Sequence, residues 1–138
     1  MSKAKEVKSY KMDANTKSVV KFFEQISKVP RGSGNEAGIR EFLVNWANEN
    51  KFDNKVDETG NVLICVPATK GMENRPTIVL QGHMDMVCEK TPDSKHDFTK
   101  DPIKNIIEGE WMRADKTTLG ADDGVAMAIS MALVKDPS

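Results

Sequence analysis

The chain lacks the features that mark several large classes of protein. It has two cysteines in 138 residues, so it is not a disulfide-rich secreted domain. We expect Cys65 and Cys88 to be reduced thiols in a cytoplasmic protein, although the sequence leaves a disulfide open. No apolar run approaches the roughly 18 residues of a membrane span. The lysine-rich start has no apolar signal-peptide core.

An excess of charge of one sign is also missing. Lys and Arg number 20 and Asp and Glu number 21, which gives a net charge of -1 at pH 7. Such a balance offers no electrostatic attraction toward nucleic acid or an anionic membrane, and we expect neither as a partner. A chain of this length makes one domain at most.

Apolar residues at helical spacing predict three helices. The first is expected to be capped by Asn15 and to end before Pro30. The second follows Ser33 and Glu36, which form a capping-box pattern. The third covers residues 123–134, where small and apolar residues predominate.

Strand-like segments lie between the second and third helices. A hairpin is predicted around Gly60, a short buried strand over residues 77–82, and a second hairpin over residues 106–113. Residues 89–104 are charged and broken by prolines, which indicates a surface loop, and residues 1–12 are expected to be a frayed start. This order predicts an α/β fold, with a mixed sheet and flanking helices.

His83 and Asp85 form a His-x-Asp motif directly after the predicted strand. Residues i and i+2 of an extended backbone share a face, so the carboxylate can hold one ring nitrogen while the other faces a metal ion. A lone histidine is more often an ordinary core or surface side chain, and Asp85 is what favours metal binding.

Asp122 and Asp123 open the third predicted helix. Aspartates at this position are favoured as caps and by the helix dipole, so capping is the simpler interpretation. One cap does not need two aspartates, however, and Gly120 and Gly124 allow close approach of the backbone. A carboxylate here can bridge two cations.

Other polar residues carry weaker signals. His96 is expected to be a surface residue of the charged loop. Arg31, Arg113 and Lys116 are candidates for contacts with a substrate carboxylate by residue type alone. The sequence assigns no other substrate-binding or cofactor-binding residue.

Two motifs carry a family resemblance. Residues 80–87 (LQGHMDMV), followed by residues 119–124 (LGADDG), resemble the aminoacyl-histidine dipeptidases. This family of Xaa-His dipeptidases belongs to the co-catalytic zinc exopeptidases. Further similarity lies in residues 29–36 and 57–61, so the resemblance runs from about residue 16 to the end.

The resemblance implies roles for three residues. His83 would ligate one zinc ion, Asp85 would be the catalytic-site carboxylate behind it, and Asp122 would bridge two zinc ions. Asp123 falls where relatives accept other polar residues and is not assigned as a ligand. The implied activity is metal-dependent hydrolysis of Xaa-His dipeptides in the cytoplasm by a homodimeric enzyme. Manganese or cobalt in place of zinc stays open.

The chain departs from the family after Asp122. Relatives have a general-base glutamate, further metal ligands and a dimerisation or lid domain beyond this point. Here 16 residues follow Asp122, and none is Glu or His. We therefore expect residues 1–138 to be the N-terminal part of a metallopeptidase catalytic domain, inactive by itself. A related aminopeptidase, an amino-acid deacylase and a non-catalytic metal-binding or interaction module remain alternatives.

Overall fold

The structure is a computed structural model that describes residues 11–136. It contains three helices, α1 (Ala14–Ser27), α2 (Ala37–Glu49) and α3 (Ala121–Val134), and four strands, β1 (Asp53–Val56), β2 (Val62–Cys65), β3 (Asn105–Glu108) and β4 (Trp111–Ala114). Most of the start predicted to be frayed, residues 1–10, lies outside the described residues. No helix among those described is long and apolar enough to cross a bilayer.

Helix α1 is capped two residues before the position that the sequence predicted. The Asp13 carboxylate accepts a hydrogen bond of 2.7 Å from the Thr16 amide, so Asp13 caps the helix and the expectation for Asn15 was wrong. The helix ends at Ser27, before Pro30, as predicted.

Helix α2 begins without the predicted capping box. Its N-cap residue, Glu36, makes no side-chain capping bond to the helix, and the Glu36 carboxylate accepts from the Gly34 amide instead. Ser33 donates its hydroxyl proton to the Asp85 carboxylate. The capping-box prediction was wrong because the Ser33 hydroxyl is bonded to Asp85, which is distant in sequence.

The three helices share one apolar core. Apolar residues spaced three or four positions apart place one face of each helix inward. Six core side chains are buried, two from each helix: Phe23, Ile26, Ile39, Leu43, Ala128 and Met131. The third helix, which carries the aspartate pair, is therefore fixed against the first.

Both predicted hairpins are present. β1 pairs antiparallel with β2, with Val56 opposite Val62, and β3 pairs antiparallel with β4. Gly60, in the first turn, has a φ of 93°, and a Cβ there would collide with the Arg40 guanidinium. That guanidinium donates to the Gly60 carbonyl at 3.0 Å and ties the hairpin to α2.

Residues 77–82 correct the sequence prediction. This segment belongs to no strand, and Ile78 and Val79 are 82% and 78% exposed. A strand forms only where a neighbour takes its backbone N–H and C=O groups, and none of the described strands lies beside it. The strands therefore form two separate antiparallel pairs and not the single mixed sheet that was expected. The α/β class itself is confirmed, since helices and small sheets share the chain.

The exposed segment leads us to expect self-association. Ile78, Val79 and Leu80 form an exposed apolar run with unpaired backbone groups, and two of the three side chains are β-branched, which favours edge-to-edge pairing with another chain. Ile78→Lys combined with Val79→Lys should shift the chain toward monomer in sedimentation velocity. Met72→Lys, which removes a half-exposed apolar side chain elsewhere, is the matched control. Equal association by all three chains would contradict this expectation.

Candidate functional site

His83 lies between two carboxylates. Its Nδ1 is 3.0 Å from Asp85 Oδ1, and its Nε2 is 3.1 Å from Asp122 Oδ1. The structure thus brings the three sequence-predicted site residues together, although Asp122 is 39 positions away from the histidine in the chain. The hydrogen bond to Asp122 raises the pKa of His83; partial burial opposes this shift and the Asp85 carboxylate adds to it.

Asp85 is held from its other side by Ser33. The serine hydroxyl donates to Asp85 Oδ2 at 2.5 Å, and this bond, together with the histidine, lowers the pKa of Asp85. Asp85 therefore stays ionised at neutral pH and can fix the orientation of the His83 ring. Sequence analysis gave Ser33 no role at the site, because it interpreted this residue as part of a capping box.

Asp122 and Asp123 do not cap α3. The N-cap position is Gly120, no side chain makes a capping bond there, and both aspartates have non-helical backbone angles. The peptide bond between them is cis. The capping interpretation is therefore wrong for this pair. The Asp122 side chain is 97% exposed, and its carboxylate faces solvent beside His83 Nε2.

Asp123 contacts the same segment through the backbone. Its Oδ2 accepts a hydrogen bond of 3.3 Å from the His83 amide. A Cβ on Gly82 would collide with this carboxylate, so a glycine at position 82 leaves the space that Asp123 occupies. Asp123 joins the start of α3 to the histidine segment, a role that sequence analysis did not assign.

The imidazole nitrogen and carboxylate oxygens at this site are donor types that zinc accepts. An imidazole nitrogen held by a carboxylate, next to a second carboxylate, is an arrangement found at zinc sites. A catalytic zinc takes about three protein ligands, however. Within residues 11–136 no group of three His, Cys, Asp or Glu side chains is placed to hold a metal ion. His83 and Asp122 are therefore fewer donors than a catalytic zinc needs.

The other candidates have different surroundings. Arg113 pairs with Glu108, and Lys116 pairs with Asp93. His96, expected to be a surface residue, is half-buried, with its ring 4.5 Å from that of Phe98.

Arg31 is buried rather than available to a substrate. It is 1% exposed and donates to the carbonyls of Met84, Asp85 and Gly120. The weak assignment of Arg31 as a substrate contact is therefore wrong.

Known proteins are similar to this chain in sequence and in fold. No protein-family model matches the chain. The cytosol non-specific dipeptidase of Escherichia coli (strain K12) is 50% identical over 114 residues, which are 83% of this chain and 24% of that protein. The crystal structure of aminoacylhistidine dipeptidase from Vibrio alginolyticus matches with a TM-score of 0.83 and 47% identity, over 86% of this chain and 24% of that one.

A more distant structure supports the fold alone. A tripeptidase from Staphylococcus aureus matches with a TM-score of 0.70 at 22% identity, over 86% of this chain and 31% of that one. The resemblance indicated by the His83 and Asp122 motifs is thus confirmed: the chain is a homologue of the cytosol non-specific dipeptidase and of aminoacylhistidine dipeptidase, and it spans about a quarter of their length.

Proposed function

We propose that this chain supplies part of the metal centre of a cytoplasmic dipeptidase that hydrolyses dipeptides of the Xaa-His type. The observation that carries the proposal is the placement of His83 between Asp85 and Asp122. Two relatives at 50% and 47% identity, named as dipeptidases, support dipeptides as the substrate class, and the name of the second, an aminoacylhistidine dipeptidase, supports the Xaa-His type. Zinc is the favoured metal, with manganese and cobalt as alternatives, and the complete enzyme is proposed to be a homodimer.

The chain's own residues would prepare one side of the site. Ser33 orients Asp85, and Asp85 holds Nδ1 of the His83 ring, so that Nε2 is free to act as a donor. Asp122 contributes an exposed carboxylate beside that nitrogen. When bound, a zinc pair supplies polarisation of the scissile carbonyl and a water of lowered pKa.

The site as described contains no general base. Asp85 is engaged by both Ser33 and His83, and Asp122 is assigned as a ligand. Proton transfer from the attacking water to the leaving amine needs a further carboxylate or histidine within reach. We therefore propose that catalysis requires ligands and a base in addition to those of residues 11–136.

Zinc titration tests the metal assignment, and the chain offers a matched control in its two histidines. His83→Ala should weaken zinc binding at least about tenfold, because it removes the nitrogen donor. Asp85→Asn should weaken binding by about 10–100-fold through loss of ring orientation. His96→Ala should leave binding unchanged. Affinity would be measured by competition with a chelating indicator at pH 7.5.

Two outcomes would contradict the assignment. Equal losses in His83→Ala and His96→Ala would mean that zinc binds histidines non-specifically. Binding that is unaffected by His83→Ala would place the metal elsewhere.

A further inference from the structure

Arg31 is the largest fully buried side chain of the molecule's described part, and it carries a charge. It lies in the loop between α1 and α2, outside the two motifs that hold the candidate metal ligands. The guanidinium donates to the carbonyls of Met84 at 3.0 Å, Asp85 at 3.1 Å and Gly120 at 2.5 Å. Every acceptor is a backbone carbonyl, so these hydrogen bonds depend on the backbone conformation of the two segments and not on the identity of a neighbouring side chain.

These carbonyls belong to the two segments that meet at the site. Met84 and Asp85 directly follow His83, and Gly120 stands two residues before Asp122. One guanidinium therefore spans both segments. The backbone of Arg31 adds a further bond to the first segment, since its carbonyl accepts from the Met86 amide at 2.9 Å.

Two glycines leave the space for this guanidinium. A Cβ on Gly120 or on Gly124 would lie 2.6 Å from Arg31 Nη2, closer than real Cβ contacts allow. Both glycines flank the aspartate pair. The shape of the second segment is thus fitted to the arginine independently of its hydrogen bonds.

Stability alone is a poor explanation for a buried arginine. Burial lowers the pKa of Arg31, which reflects the cost of desolvating its charge, and Nε has no hydrogen-bond partner among the described residues. Replacing buried charged groups by apolar residues of similar volume is often neutral or stabilising. What an apolar side chain does not supply is a planar fork of donors that joins separate carbonyls in one geometry.

We propose that Arg31 is a positioning residue that sets the distance between His83 and Asp122. It does so by holding the backbone of both segments, without contacting a metal ion or a substrate. The consequence for metal binding rests on the proposed function, whereas the positioning itself does not.

Nuclear magnetic resonance of the metal-free chain tests the positioning directly. The wild type should show a nuclear Overhauser effect between the His83 ring and the Asp122 β-protons, since Nε2 and Oδ1 are 3.1 Å apart. Arg31→Met should lose this signal while the core contacts among Phe23, Ile26 and Met131 remain. Arg40→Met, which removes the bond from another arginine to the carbonyl of Gly60, a residue of neither site segment, should retain it.

The zinc affinity of the same variants provides the second readout. Arg31→Met should weaken binding by at least about tenfold, the size of effect seen when the groups that orient metal ligands are removed. A zinc affinity that is insensitive to His83→Ala, together with loss of the Overhauser effect in Arg31→Met, would refute the proposed function and leave the positioning role intact.

Retention of the His83–Asp122 signal in a folded Arg31→Met chain would overturn the proposal. If Arg31→Met does not fold, Arg31→Lys decides the question, because lysine keeps the charge but cannot present the planar fork. A weakened signal in Arg31→Lys supports positioning, and an unchanged signal refutes it.

Discussion

Replacing Ile26 by alanine is expected to lower the free energy of unfolding by about 2–5 kcal/mol, the range for large-to-small changes at fully buried positions. Ile26 is 0% exposed and belongs to the cluster in which all three helices meet. The substitution removes apolar contacts and leaves a cavity that a packed core closes only in part. Since small domains are stable by about 5–15 kcal/mol, the loss is a large share of the total.

Urea denaturation followed by circular dichroism would measure the effect of Ile26→Ala. Leu133→Ala is the control, because it removes a similar side chain from α3 at a position that is 60% exposed. The control should change stability by no more than about 0.5 kcal/mol. Equal effects of the two substitutions would show that α1 does not carry the shared core.

The elements predicted correctly are those that local chemistry determines. Apolar spacing predicted the first two helices, Pro30 predicted the end of the first, and turn glycines predicted both hairpins, since these signals do not depend on distant residues. The misplaced cap on α1 reflects several cap-forming residues in one stretch, Asp13, Asn15 and Thr16, among which local preference does not choose.

The failures share a non-local cause. Residues 77–82 have the composition of a buried strand, but burial and pairing depend on neighbours that composition does not reveal. Ser33 has the spacing of a capping box, but an acceptor 52 positions away competes for its hydroxyl. Arg31 carried no sequence signal for burial, because its three acceptors come together only in the folded chain.

The candidate site likewise combines one contact that is local in sequence with one between distant segments. The contact between His83 and Asp85 joins residues two positions apart, and this spacing predicted it from the sequence. The contact between His83 and Asp122 joins segments far apart in sequence, and the family resemblance was the only signal for it. The metal roles of the three residues stay predictions, which zinc titration tests.

The isolated chain, supplied with zinc, is expected to hydrolyse an Xaa-His dipeptide at least about 10²-fold more slowly than a chimera that completes the site. General acid–base catalysis contributes about 10²–10⁴-fold to rate, and the described residues offer no free base beside His83. In the chimera, this chain would replace the matched 114-residue segment of the Escherichia coli dipeptidase. The remainder of that protein would supply the groups that the proposal requires.

Comparing the chimera with the isolated chain distinguishes an incomplete metal site from a wrong assignment of His83 as a ligand. An active chimera that loses at least about 10²-fold in kcat/KM on His83→Ala, and little on His96→Ala, would show that this chain's histidine serves the reaction. Zinc-dependent turnover by the isolated chain, abolished by a chelator and by His83→Ala, would mean that the missing donors arise within this chain or from a second copy. A folded but inactive chimera would instead indicate that this chain does not supply a functional part of the metal centre. The first outcome requires His83 and Asp122 to keep, in a foreign context, the spacing that Arg31 sets here, because catalytic metal sites tolerate little displacement of their ligands.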